Sequence, residues 1–271
     1  MIGYTVGFAT DDPALAGFLT RAYAGFPTVD RPEHRYAVVP DPTRPPDEPD
    51  AVELRVDGDP QGRSATAAGI VGTIVGSLNR SAAATSPHVL VHAGAVERDG
   101  VGVVLPAPME SGKTTLTAGL VRAGFRYLSD EAAAFDRATH ALVPYPKPLS
   151  IDQGSWSLFP ELEPHEPFPD DGYKAHQWQV PPTDIRPDAV GAGCPAGFVL
   201  FPTYVEGADT TLEPVPRAAA LVELAKNTFR FDREGRPTFT LLAEVLRSVE
   251  VFRLTVGDLD AAVGVISRLV G

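Results

Sequence analysis

The sequence holds a single cysteine, Cys194, among 271 residues. One thiol excludes an intramolecular disulfide and a cysteine-based zinc site, and it suits a reducing compartment. Basic residues are also scarce, with 23 Lys and Arg against 35 Asp and Glu and a formal charge of −12. Nucleic acid and anionic membrane surfaces are bound through basic patches, so neither is expected as the main partner. Long apolar runs are missing too. The longest, residues 65–78, covers about two-thirds of a membrane span and is rich in Gly and Ala, so it reads as a helix of a soluble protein. Its Gly72-x-x-x-Gly76 spacing is read as allowing close packing rather than membrane dimerisation. The opening MIGYTVGFATDD has no basic leader or apolar core of a signal peptide, which makes a cytoplasmic location the expectation. No internal repeat and no low-complexity tail is found.

With 44% apolar residues the chain can bury a core, as one large domain or two small ones. Strands are expected at 2–9, 34–39 and 51–57. Asp12-Pro13 starts a helix that Gly25 ends, and a second helix is expected over 65–83. The loop 40–50, with five prolines and four acids, reads as exposed. Further on, 132–135 and 142–145 read as a hairpin, and 197–201 as a strand paired with 210–215. Helices follow at 218–229 and 238–249, then a strand at 251–256 and a last helix capped by Asp258. Strands alternating with helices give an α/β class with a central sheet.

The chain is organised around residues 89–136, which read as strand, Asp99-Gly100 turn, strand, glycine-lysine loop, amphipathic helix and strand. The loop, Ala107-Pro-Met-Glu-Ser-Gly-Lys-Thr114, fits the P-loop pattern G-x-x-x-x-G-K-[ST] at every fixed position except the first. Such a loop turns backbone N–H groups onto phosphates at a helix N-terminus, its Lys reaches the outer phosphates, and the following hydroxyl binds Mg²⁺. The candidate nucleotide contacts are therefore Ala107, Pro108, Met109, Glu110, Ser111, Gly112, Lys113, Thr114 and Thr115. Ala107 in place of Gly costs about 1 kcal/mol if that position needs positive φ, and Glu110 repels phosphate unless it points outward. On so acidic a chain, ATP has to be drawn in by this local geometry.

Seventeen residues after Lys113 a strand ends in Asp130-Glu131. One carboxylate of such a pair can hold Mg²⁺ while the other takes the proton of an incoming hydroxyl. His88 and His92 share one face of the preceding strand, yet no further metal ligand lies nearby in the sequence, so they are not read as a metal pair. Lys147, between prolines, is read either as a contact for a substrate carboxylate or ATP phosphate or as an exposed loop residue. The Pro-rich stretch 152–195 carries both tryptophans, Trp156 and Trp178, and is read as a segment that closes over the acceptor.

Residues 92–100, 107–114 and 124–131 together resemble the catalytic core of the HPr serine kinase/phosphorylase family. That family has a His eight residues before a turn Gly, a P-loop seven residues later, and a G-H-R-L-[VI]-A-D-D strand, here Gly124-Phe-Arg-Tyr-Leu-Ser-Asp-Glu131. Residues 144–150 and 201–204 look more like HPr-kinase-related proteins, some of which resemble serine kinases of ribosomal-peptide pathways. The resemblance is specific over 88–136 and looser beyond. It implies a P-loop kinase core with a central mixed sheet over 87–271, including the 152–195 insertion, and a smaller N-terminal α+β region over 1–86. It further implies Lys113 on phosphate, Thr114 and Glu131 on Mg²⁺, Asp130 as the preferred base, and His92 as a catalytic-site His. The family's L-E-I-R-G-type segment, tied to dephosphorylation, has no counterpart after Glu131. The expected activity is thus transfer from ATP to a serine of a peptide or protein other than HPr, without phosphatase activity. A small-metabolite kinase and a non-catalytic ATP-binding module are the alternatives. A homo-oligomer is allowed by the resemblance, though no residue pattern here carries it.

Overall fold

The computed structural model describes residues 1–164 and 177–271. β1 (Val6–Thr10) leads into α1 (Pro13–Ala22), whose cap Asp12 accepts from the Leu15 N–H at 2.8 Å, as the Asp-Pro pair dictates. β2 (His34–Pro40), β3 (Val52–Val56) and β4 (Asp59–Ser64) complete a sheet of order β1-β2-β3-β4. β4 departs from the sequence reading because its polar run contains Pro and Gly. A turn with Asp57 and Gly58 at positive φ folds it onto β3, and the pairing sustains it. α2 (Val71–Thr85) starts later than 65, since the Ser64 and Thr66 hydroxyls take the Thr66 and Gly69 N–H groups in local turns.

The chain continues through β5 (Val89–Arg98), β6 (Val101–Pro106), α3 (Lys113–Arg122), β7 (Arg126–Ser129), β8 (Ala132–Phe135) and β9 (Leu142–Val143). β10 (Leu149–Asp152) pairs with β11 (Gln177–Val180), and two 3₁₀ turns follow β10. Here Trp156 and Trp178 stack with ring centroids 4.8 Å apart. The segment expected to close over the acceptor, 152–195, includes residues 165–176, which lie outside the described residues. After α4 (Pro182–Ile185) come β12 (Ala196–Tyr204), β13 (Thr211–Pro214), α5 (Arg217–Lys226), α6 (Phe231–Ser248), β14 (Glu250–Val256) and α7 (Leu259–Val270). α6 begins before 238 because a first turn precedes a break at Gly235, two residues ahead of Pro237.

Contacts group residues 3–85 with 150–181 as one unit, and 86–149 with 182–271 as a second. Of the stretch 152–195 that the sequence reading places with the core, the described residues up to 181 group with the first unit and 182–195 with the second. The second unit is built on a mixed sheet of order β13-β14-β12-β6-β5-β8-β9, with β7 also on β5. β13 pairs with β14, not with β12 as expected, because β12 already has parallel partners on both edges, β6 and β14. Among the described residues no helix is long and apolar enough to cross a membrane.

β5 is covered on both faces, which accounts for its nearly continuous run of apolar and small residues. Its Val89, Val91, Ala93 and Ala95 join the cluster formed with Leu224 of α5 and Leu242 and Val245 of α6. The alternate residue Gly94 lies under α3, where a Cβ would come within 2.5 Å of Thr117 Oγ1. That hydroxyl is itself buried, with no hydrogen-bond partner among the described residues. Gly94→Ala is therefore expected to cost about 1–3 kcal/mol in urea unfolding, and adding Thr117→Ala to recover part of it. A neutral Gly94→Ala would mean that α3 does not pack this closely on β5.

Candidate functional site

The loop between β6 and α3 turns on two left-handed residues, Glu110 (φ 59°) and Gly112 (φ 82°). Glycine adopts this freely, whereas the Glu110 backbone carries about 1 kcal/mol of strain. Ala107, the departure from the P-loop pattern, keeps negative φ, so its methyl group adds no such strain. Glu110 is exposed. Gly112 caps α3 with no side-chain hydrogen bond, which leaves the helix N-terminus to act on an anion. The opposite end is closed by two arginines. Arg98 donates to the Ala123 carbonyl at 2.8 Å, and Arg186 to those of Val121 and Phe125.

Lys113 is buried, and its Nζ donates to the loop carbonyls of Ala107, at 2.9 Å, and Pro108. Burial pulls its pKa below the usual lysine value, while Glu131 and Asp130 oppose the shift. The ammonium thus lies within the loop it would complete around phosphate.

β7 and β8 both run antiparallel to β5, with Ser129 opposite Ala95 and Ala132 opposite His92. Between them the ladder breaks. The Ser129 hydroxyl takes the N–H groups of Glu131 and Ala132 at 3.1 and 3.0 Å, replacing ladder bonds by a local turn. This bend sits where the acids are. Asp130 Oδ2 accepts from Thr114 Oγ1 at 3.0 Å, and Oδ1 accepts from the Tyr127 hydroxyl at 2.7 Å. Lys147, read from sequence as a substrate contact or an exposed residue, is 1% exposed, with Nζ 2.6 Å from Asp130 Oδ1. Burial, with the Asp130 charge beside it, raises the Tyr127 pKa well above its ordinary value, so the phenol remains a donor.

Glu131 has a different environment. Burial raises its pKa, against the pull of Lys147 and with a further push from Asp130. It lines an open cleft of about 250 Å³ together with His92, Met109 and the stretch Lys226, Asn227, Thr228 and Phe229. That stretch is bonded to β5 beyond the end of β6: the His92 N–H donates to the Asn227 carbonyl at 2.7 Å, and the Phe229 N–H to Leu90. The His92 ring meets Phe229 edge-on at 5.8 Å. Burial, and Lys113 after it, lower the His92 pKa to about 4, so the imidazole is neutral near pH 7.

The structure therefore brings His92, the 107–115 loop, Asp130, Glu131 and Lys147 together. His88 stands apart, its Nδ1 3.7 Å from Asp136. Tyr127 and the 226–229 stretch were missed by sequence reasoning. Tyr127 reads as an ordinary core aromatic on its strand, and residues 226–229 as the end of a helix. The donor set suits Mg²⁺, which takes hard oxygen ligands and, when bound with phosphates, needs only one or two carboxylates. Thr114 Oγ1 and Asp130 Oδ2 supply such oxygens side by side. Among the described residues no group of three or more His, Cys, Asp or Glu is placed to hold a metal.

The depressed His92 pKa has a consequence for stability. Between pH 6.5 and about 4 the unfolded chain takes up a proton that folded His92 refuses, so stability falls as pH falls through that window. His92→Asn should flatten this part of the stability-against-pH curve in denaturant titrations. An unchanged slope would place the proton uptake on other groups.

The chain is similar to the solved HPr(Ser) kinase/phosphatase from Coxiella burnetii, with a TM-score of 0.33 and 13% identity, covering 66% of this chain and 96% of that one. No protein-family model matches the sequence, and no curated protein does.

Proposed function

We propose that the protein is an ATP-dependent kinase that phosphorylates a hydroxyl, with a serine of a peptide or protein as acceptor and without phosphatase activity. The observation that carries this reading is the 3.0 Å hydrogen bond between Thr114 of the glycine-lysine loop and Asp130. P-loop phosphotransferases hold Mg²⁺ through such a hydroxyl together with a carboxylate from a neighbouring strand end. Held by Thr114 and Asp130, Mg²⁺ would neutralise charge on the transferring phosphoryl group.

In this reading the loop N–H groups and the α3 N-terminus cradle the phosphates. Lys113 leaves the carbonyls of Ala107 and Pro108 and pairs with the outer phosphates. Asp130, fully engaged with Thr114, Tyr127 and Lys147, acts with Thr114 on the metal side. Glu131 is the better base, a reversal of the sequence preference for Asp130. It faces the cleft where an acceptor would lie, and its raised pKa brings it closer to working pH. It takes the proton of the acceptor hydroxyl as the oxygen forms its bond to the γ-phosphorus. The bond from that phosphorus to the bridging oxygen breaks, and ADP leaves. Neutral His92, beside the acids, orients the acceptor through a hydrogen bond.

The test is incubation with Mg·ATP and a panel of Ser-containing peptides plus free serine, read by intact mass. One acceptor should gain a phosphate, and Lys113→Ala should abolish the gain while thermal unfolding shows the fold retained. An active Lys113→Ala protein would sink the proposal. Glu131→Gln should lower kcat by about 10²–10⁴-fold with ATP affinity kept. Because the base must be deprotonated, kcat/KM of the parent should rise with pH through a pKa above the ordinary 4.5 of glutamate, and Glu131→Gln should lose that limb. Persistence of the limb would move the base elsewhere.

A further inference from the structure

We infer that Lys147 and Tyr127 are positioning residues that fix which oxygen of Asp130 is presented to the metal, an inference that rests on the kinase reading above. The two carboxylate oxygens are treated differently. Oδ1 lies 2.6 Å from Lys147 Nζ and accepts from the Tyr127 hydroxyl at 2.7 Å, whereas Oδ2 accepts from Thr114 Oγ1 at 3.0 Å. Tyr127 also receives the Asp130 backbone N–H at 3.1 Å, so one phenol oxygen holds both the main chain and the side chain of the acid. With Oδ1 anchored, the carboxylate cannot swing to bind a cation through both oxygens, and Oδ2 is left beside the Thr114 hydroxyl.

The delivery of Lys147 is built into the chain. It stands between Pro146 and Pro148, which restrict the backbone to extended forms. The Tyr145 N–H donates to the Leu128 carbonyl of β7 at 2.7 Å, which ties the segment to the strand that ends at the acid. Nζ also donates to the Pro148 carbonyl at 2.9 Å. The ammonium is thus held from two directions in a site closed to water, which a residue serving only as a mobile substrate contact would not need.

The experiment is Mn²⁺ binding, followed by electron paramagnetic resonance, in the presence of a non-hydrolysable ATP analogue. Lys147→Met should weaken Mn²⁺ binding by about tenfold or more, the usual consequence of losing an outer partner of a ligand. Tyr127→Phe keeps every charge and removes one donor to Oδ1, so it should weaken Mn²⁺ binding by about threefold. Metal-free analogue binding should be unchanged in both. Unchanged or tighter Mn²⁺ binding in a folded Lys147→Met protein overturns the inference, because it makes Lys147 a bystander or a competitor for the acid. Should that variant not fold, unchanged binding by Tyr127→Phe overturns it equally. A parent protein that binds the analogue but no Mn²⁺ overturns the kinase reading itself, and this inference with it.

Discussion

A carboxylate taken out of water must be given compensating charge and hydrogen bonds, or it takes up a proton. Asp130 is such a group, and the second unit of this protein is arranged around meeting its demands. Thr114 comes from the first turn of α3, Tyr127 from β7, and Lys147 from a proline-flanked segment after β9. Each partner belongs to a different stretch of chain, so satisfying one acid joins the loop, the sheet and the connection into one constellation. Removing any partner leaves a buried charge short of compensation, and such groups are coupled rather than additive.

The neighbouring acid shows what environment does to identical chemistry. Asp130 and Glu131 are adjacent in sequence, yet one is held by three donors and the other lines an open cleft with its pKa raised by burial. Two carboxylates whose environments differ in this way can divide a reaction between holding charge and moving a proton. Both acids sit at the bend that follows Ser129. Because its hydroxyl takes the N–H groups of Glu131 and Ala132, the chain leaves the ladder of β5 just where the acids sit.

Helix α3 shows a similar economy. Its N-terminus, capped by a glycine that contributes no side chain, faces the loop, while Arg98 and Arg186 satisfy carbonyls at its far end. The positive end of the dipole is thus left for an anion and the negative end is compensated within the protein. Gly94 lets this helix sit close upon β5, which fixes the distance between the loop and the strand that carries His92. The strain at Glu110 lies in the same loop.

Much of this was legible in the sequence, and the limits have physical causes. The loop, the helix after it, the acid pair and the caps at Asp12 and Asp258 are local patterns, in which residues a few positions apart decide the backbone. Such signals survive without knowledge of the fold. Strand partners do not: β13 joins β14 because β6 and β14 had already filled both edges of β12, a fact about sheet topology rather than about either segment. The polar β4 forms only because β3 offers it an edge. Lys147 reads from sequence as a substrate or phosphate contact or as an exposed loop residue, and in the fold it is a buried counter-ion, since burial depends on what packs around a residue and not on its neighbours in the chain. By itself the sequence determined a glycine-lysine loop leading into a helix and a pair of acids at the end of the following strand. Tertiary structure alone decided which acid is held and which faces the cleft, because that depends on donors brought from distant parts of the chain.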